Sequence, residues 1–370
     1  MRLVVNKIDT YNIKKCPCCE EVVSSKLLSR KETLTNKIDT YSLIHSDVVC
    51  NNCGLVYTSS RPNDIQVSSY YENYHPDSST TNDSENLSRL KVINKYLDGQ
   101  GVKVLEIGGG ERSAFSKVLE KNGCLVSGVE VGNSFPINQD NDCVCSYYVM
   151  EHINDLHEYM LNVNRVLKDG GYLIFEVPDF EKFPLESLNE EHVNHFCRTS
   201  VEALSDRYGY SYIDVNQDQA SRYFGMLCVL KRTSCLKKNR KSDIDLVRLK
   251  QIYFAAILKR EEKMKQFLTI ARQLSRSDET VLVWGANQNC VKLLGQFEEA
   301  GVKNFTLVDS SKYKQSINFM GFHVRSPDEV DLESFGAVLV CASTAYLSIC
   351  NDIEIRPHQK NMAIHKVDYN

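Results

Sequence analysis

The chain has 370 residues, 42 % apolar and 25 % charged, with a formal net charge of −4. That length admits two or three domains with real cores, and the charge balance argues against a surface built to coat nucleic acid or an anionic membrane. No apolar run approaches the ~18 residues of a membrane span, and fourteen cysteines behind an N-terminus without a secretion signal point to a reducing cytoplasm.

Residues 1–60 read as strands carrying two cysteine pairs. "CPCC" supplies Cys16 and Cys19, and "CNNCG" supplies Cys50 and Cys53. Two such knuckles suit tetrahedral zinc, because each tight turn aims two thiolates at one ion. Four sulfur ligands leave no open position, so the expected zinc is structural. The spacer exceeds the ~15–20 residues of the usual pattern, and alternating strands would fill it as a ribbon. Cys18 is a competing ligand. Unmetalled thiols and a disulfide pair remain alternatives. "NKIDTY" occurs at 6 and again at 36, which suggests paired strands or chance. Residues 61–100 read as a polar linker and an entry helix that begins near Leu87.

Residues 101–235 alternate short apolar strands with helices, as a Rossmann-like α/β core does. "VKVLEIGGGERSAFSKVLEKNG" reads as a strand from Val102 to Ile107, a glycine turn, and a helix from Arg112 to Asn122. Gly108 and Gly110 let the backbone turn tightly and approach a ligand. Glu106 lies in the strand, and Glu130 ends the next one, where an acid can accept bonds from ribose hydroxyls. The next apolar strand runs from Cys143 to Val149. A helix and a strand need about 16 to 18 residues, and fewer lie between Glu130 and Cys143. That pair of elements is therefore expected to be missing. Asp140, Asn141 or Asp142, or a backbone group, would then have to substitute for what that strand's end offers a ligand, with Ser146 a further contact.

Residues 240–276 carry apolar positions at three- and four-residue spacing, the pattern of an amphipathic connecting helix. Residues 277–370 alternate strand and helix again, which reads as a smaller doubly wound domain. Gly285 stands alone where a dinucleotide loop wants three glycines, so tight NAD binding is not expected. Gly285, Ala286 and Asn287 are candidate ligand contacts, with Asp309 ending the following strand. A scaffold domain without a ligand is the other reading.

The stretch E-x-G-x-G resembles the glycine motif of class I S-adenosylmethionine-dependent methyltransferases. "DCVCSYYVMEHINDL" and "VNRVLKDGGYLIFEVPD" resemble later segments of that family. With cysteine knuckles before this core and a second α/β unit after it, the chain resembles three-domain, zinc-containing sugar C-methyltransferases. The resemblance implies S-adenosylmethionine, a structural zinc and a nucleotide-linked keto-deoxysugar methylated at carbon through an enolate. "VMEHINDL" places His152 in the implied site, "FEVPDF" places Glu176, and "NEEHVNHF" places Glu191, His192 and Phe196. His192 is the implied base, oriented by Glu191. A histidine of near-neutral pKa suits proton removal beside a ketone. His152 and Tyr71 or Tyr74 would be secondary polar contacts. Asn189 stands where the family's loop has tyrosine, and "QASRYFGM" stands where it has His-Gly-Gly-Ser. Two alternatives remain: a methyltransferase-like domain that binds without cofactor, and a zinc-ribbon RNA methyltransferase, which net charge −4 disfavours.

Overall fold

The computed structural model describes residues 5–35, 40–72, 83–97, 100–109, 112–131, 135, 140–216, 219–233, 243–276, 279–359 and 361–369. The N-terminal part is a sheet with long arms. It comprises β1 (Val5–Lys7), β2 (Thr10–Asn12), β3 (Ser24–Thr35), β4 (Thr40–Cys50), β5 (Val56–Thr58) and β6 (Ser60–Pro62). The spacer between the cysteine knuckles is the antiparallel hairpin β3–β4, paired from Ser24↔Cys50 to Thr35↔Thr40. β1 lies parallel to β4, with Asn6 opposite Tyr41. The described parts of the repeated hexapeptide thus do meet, but out of register. The expected linker holds a further helix, α1 (Asp64–Glu72), and the expected entry helix near Leu87 is α2 (Asp83–Tyr96).

The core follows as β7 (Lys103–Ile107), α3 (Ala114–Lys121), β8 (Leu125–Val129), β9 (Asn141–Tyr147), α4 (Leu156–Val166), β10 (Leu167–Pro178), α5 (Pro184–Ser187), β11 (Asn194–His195), α6 (Arg198–Tyr208), β12 (Tyr210–Asn216) and β13 (Gly225–Arg232). Its sheet has the order β12-β13-β10-β9-β7-β8. β13 runs antiparallel to both neighbours and the other neighbours pair in parallel. Strict alternation sorts the side chains into two layers. Val104, Cys143, Cys145 and Ile174 pack in one with Phe115 of α3 and Ile93 of α2. Leu105, Val144 and Phe175 pack in the other with Met160 and Val163 of α4. No strand lies beyond β8 among the described residues. Phe135, from the short segment after β8, packs edge-on against Tyr159 of α4 with ring centroids 6.3 Å apart.

A 29-residue helix, α7 (Leu246–Leu274), capped by Asp245 accepting from Arg248 N, leads to the second α/β unit. That unit comprises β14 (Val281–Trp284), α8 (Gln288–Ala300), β15 (Phe305–Val308), α9 (Lys312–Gln315), β16 (Asn318–Phe319), β17 (Phe322–Arg325), β18 (Ala337–Val340), α10 (Tyr346–Glu354) and β19 (Ala363–Lys366). Its sheet order is β16-β17-β15-β14-β18-β19. The three parts share one buried ionic network. Arg30 of β3 donates to Asp47 of β4 at 2.6 Å and pairs with Glu32. Arg260 of α7 reaches Glu32 at 3.4 Å and Glu190 of the core at 2.9 Å. Lys292 of α8 closes on the same Glu190. Three cations face three carboxylates, which satisfies the requirement that buried charge be paired.

Candidate active site

The two cysteine knuckles converge. Cys16 and Cys53 sulfurs lie 3.6 Å apart, Cys19 and Cys50 sulfurs 3.5 Å apart, and all four are buried within one ligand-sized cluster. Cys18 is also buried but is not a member of the cluster. Burial pushes the Cys16 thiol up, while hydrogen bonds from neighbouring thiols draw Cys19 down. Such a set of soft donors can hold a tetrahedral ion with every position filled. The knuckles dock on α6. Arg207 donates to the carbonyls of Pro17 and Cys18, and Thr199 Oγ1 donates to the carbonyl of Cys53 at 2.9 Å.

The glycine turn follows β7. Gly108 has φ +83°, and a Cβ there would stand 2.5 Å from Val149 Cγ2, so the turn needs glycine at this position. Gly108 N donates to Val129 O at 2.8 Å, which sets the turn beside the end of β8 and the exposed Glu130. Glu106 is buried. Its Oε2 accepts from Ser113 Oγ and Ser116 Oγ, both at 2.6 Å, so this carboxylate anchors the start of α3. Gly110 lies outside the described residues.

The three candidates at the end of the shortened segment are placed elsewhere. Asp142 sits at the amino end of β9, where its Oδ2 accepts from Lys103 N at 2.8 Å and its Oδ1 meets Lys168 Nζ. Asp140 and Asn141 sit there too, bonded to Lys103 Nζ and Val166 O. Glu130 and Gly108 are at the carboxyl ends of their strands, a strand length away. None of the three acidic or amide side chains therefore meets an adenine bound at the glycine turn. Residue spacing alone does not say at which end of the sheet the shortened segment re-enters. Ser146 is near the right end, but it is fully buried and bonded to Tyr159 OH at 3.1 Å on the α4 side.

The loop "NEEHVNHF" is held between the N-terminal sheet and the core. β11 pairs antiparallel with β5, Asn194 opposite Tyr57. Val193 N donates to Glu151 O at 2.8 Å, and Asn194 Nδ2 donates to Met150 O and Ile153 O. The loop therefore grips the short 3-10 turn Met150–His152 that follows β9. His192 and His152 meet edge-to-face with ring centroids 4.7 Å apart, and Glu151 Oε1 lies 4.0 Å from His192 Nε2. His192 Nδ1–H donates to Ser187 O at 2.8 Å. Burial lowers both imidazoles to about 3 and raises the Glu151 carboxyl to about 8.

Glu191 does not orient His192. Its Oε1 accepts from Tyr70 OH at 2.6 Å, and it faces a cavity lined also by His152, His45, Glu190, Asn154 and Val193. Burial raises this carboxyl to about 7. Glu191 looks into the cavity together with its neighbour Glu190, while His192 packs against His152 and Glu151. Tyr70 was missed because "YYENY" offers several hydroxyls and only the register of α1 decides among them. Tyr71 lies in α1 with its side chain outside the described residues, and Tyr74 lies outside them altogether. Glu151 was missed although it adjoins His152. An acid beside a histidine was the available signal. Phe196 is fully buried, and Glu176 accepts from Ser221 N and Oγ, which ties "QASRYFGM" to the end of β10.

In the second α/β unit, Gly285 has φ +106° and Asp309 Oδ2 accepts from Ala286 N at 2.8 Å. Asp309 Oδ1 accepts from Ser311 N, and Lys314 pairs with Oδ2. Asn287 caps α8 and donates to Cys341 O. These candidate contacts are thus bound into their own turn.

Residues 82–215 match the family described as methyltransferase domain, and residues 277–362 match the family described as C2185-like, N-terminal. The methyltransferase-domain match covers less than half of the chain and falls on the six-stranded sheet described above, so residues 82–215 are a methyltransferase domain with that sheet as its core. No curated protein matches the chain. Among solved structures it is similar to an S-adenosylmethionine-dependent methyltransferase from Mesorhizobium loti, at 13 % identity and TM-score 0.32, over 39 % of this chain and 98 % of that one. It is similar to the 1,6-didemethyltoxoflavin-N1-methyltransferase of Burkholderia thailandensis, at 13 % identity and TM-score 0.35, over 46 % and 87 %. Phosphoethanolamine N-methyltransferase 2 of Haemonchus contortus matches at 15 % identity and TM-score 0.33, over 70 % and 67 %. Scores of this size say nothing of substrate or mechanism. No helix among the described residues is long and apolar enough to cross a membrane.

Proposed function

We propose that the chain transfers the methyl group of S-adenosylmethionine to a carbon beside the ketone of a nucleotide-linked keto-deoxysugar. The observation that supports this best is that Glu191, Tyr70 and His152 face one cavity whose remaining walls, Ile8, Leu34, Leu43 and Val67 among them, are largely apolar. It borders the turn after β9, on the edge of the sheet where Gly108 and Glu130 stand. Cofactor at the glycine turn and acceptor in the cavity would be neighbours, because Gly108 packs on Val149, three residues before His152.

The sulfonium methyl is already electrophilic, so the protein must supply a nucleophile in line with it. In this reading Glu191 removes the proton beside the ketone and becomes the carboxylic acid. A base titrating near neutrality is better matched to the task than an imidazole lowered to about 3. Once Glu191 carries the proton, the Tyr70 hydroxyl that donates to it can turn to the enolate oxygen, where a donor stabilises developing charge. The enolate carbon then attacks the methyl, and the thioether leaves. The cysteine cluster carries a structural zinc that fixes the N-terminal sheet against α6. Reduced thiols suit a cytoplasmic setting.

Glu191→Gln should lower kcat by ~10²–10⁴-fold and leave S-adenosylhomocysteine affinity unchanged. Unaltered turnover would remove Glu191 from the base role. A second reading draws on the lack of a strand beyond β8 among the described residues: a domain that holds a sugar nucleotide without cofactor. Absence of S-adenosylhomocysteine binding would favour it.

A further inference from the structure

Glu151, His152 and His192 form a second donor cluster beside the cavity, apart from the cysteines. One ligand atom from each lies within 4.8 Å of the others. The Glu151 side chain is 1 % exposed, and neither of its carboxylate oxygens has a hydrogen-bond partner. Leaving both oxygens of a buried carboxylate unsatisfied is expensive, and a native structure that does so calls for a ligand. The two histidines are already set as ligands. His192 gives its Nδ1–H to Ser187 O, and His152 donates to the backbone carbonyl of Glu191. Each therefore keeps its other ring nitrogen free of hydrogen, and a backbone carbonyl fixes the tautomer. This is the outer-shell arrangement that orients metal-binding imidazoles.

We infer that Glu151, His152 and His192 bind a divalent transition-metal ion. Two imidazoles and one carboxylate are the donor set of open zinc and iron(II) sites. Metal–ligand bonds of about 2.0–2.1 Å put ligand atoms about 3.4 Å apart in a tetrahedron. Here Glu151 and His192 are 4.0 Å apart, so binding needs a contraction of less than an ångström between them. The fourth position opens on the His152 side, toward the cavity. If the methyl-acceptor reading holds, the ion would polarise the acceptor's carbonyl oxygen and Glu191 would remain the base. The binding of the ion does not depend on that reading.

The test is metal content of the full chain, purified after growth with added zinc, together with cobalt(II) titration. Wild type should hold two equivalents of zinc. Glu151→Gln and His192→Ala should each lose one and keep the other, which the cysteines hold. Where a variant loses its cooperative melt, His152→Gln, at a half-buried position, replaces it. Wild type with zinc-filled cysteines and a stripped second site should take up one cobalt(II). Its visible bands should lack thiolate-to-metal charge transfer. A single zinc equivalent with no cobalt uptake overturns the inference. So does a second equivalent that all three substitutions leave in place. Metal retained by a chain without methyl transfer would refute the enzyme reading and leave the ion site standing.

Discussion

The chain builds the same strand–turn–helix–strand unit twice, and the two copies treat their acids differently. After β7 the turn is Gly108–Gly109, and the acid closing β8, Glu130, is exposed beside it. After β14 the turn is Gly285–Ala286, and the acid after β15, Asp309, is folded back onto Ala286 N, Ser311 N and Lys314. A free acceptor at a sheet's carboxyl edge suits a ribose. An acceptor that already receives two backbone N–H groups and an ammonium stabilises its own loop. The pattern in the sequence is alike; the surroundings differ, one acid exposed and the other tied into its own loop.

The largest expected effect comes from uncoupling the two copies. Lys292 of α8 and Arg260 of α7 hold Glu190 next to the cavity. Lys292→Met leaves a buried carboxylate with one cation fewer and should cost about 3 kcal/mol, read from the denaturation midpoint. A change below about 0.5 kcal/mol would mean that the second unit does not brace the loop.

Glu130→Ala should weaken S-adenosylhomocysteine binding ~10–100-fold, the worth of hydrogen bonds to a charged acceptor. Asp309→Ala should leave that affinity unchanged and lower stability by ~1–3 kcal/mol. Equal effects on affinity would erase the distinction between the edges.

Asp47 sets an acid limit on the shared network. Burial alone would raise its carboxyl, but Arg30 beside it holds it at about 2, against an ordinary value of 3.8. The folded pKa is depressed, so its stabilisation is present above pH 3.8 and is lost as pH falls toward 2. About 2 kcal/mol should disappear across that window, and Asp47→Asn should flatten it in urea melts between pH 4 and 2.

A paired substitution separates backbone strain from ligand contact. Gly108→Ala and Gly285→Ala both place a methyl group at positive φ, against Val149 and Ala342 N respectively, and each should cost about 1–3 kcal/mol. Only Gly108→Ala should also reduce cofactor affinity.

Much of this was legible in the sequence. The cysteine pairs, the glycine turn with Glu130 and the shortened segment after it each carry a local rule of spacing, and such rules need no tertiary information. The rest depended on packing. Whether Asp142 reaches the ligand depends on which end of β9 it occupies, and an acidic cluster in sequence does not tell. Glu191 and His192 exchange places between cavity and core with a single residue's change of direction. Glu151 became notable only when its oxygens proved to be buried and unpartnered. α1 was hidden in a Ser/Asn-rich stretch whose local preferences favour turns, whereas the entry helix expected near Leu87 is α2.

The most direct test of the central claim is calorimetric titration of the full chain with S-adenosylhomocysteine. The predicted result is one saturable site, weakened by Glu130→Ala and indifferent to Asp309→Ala. No heat and no thermal shift at millimolar ligand would contradict the claim that the first of the two turns is a cofactor site.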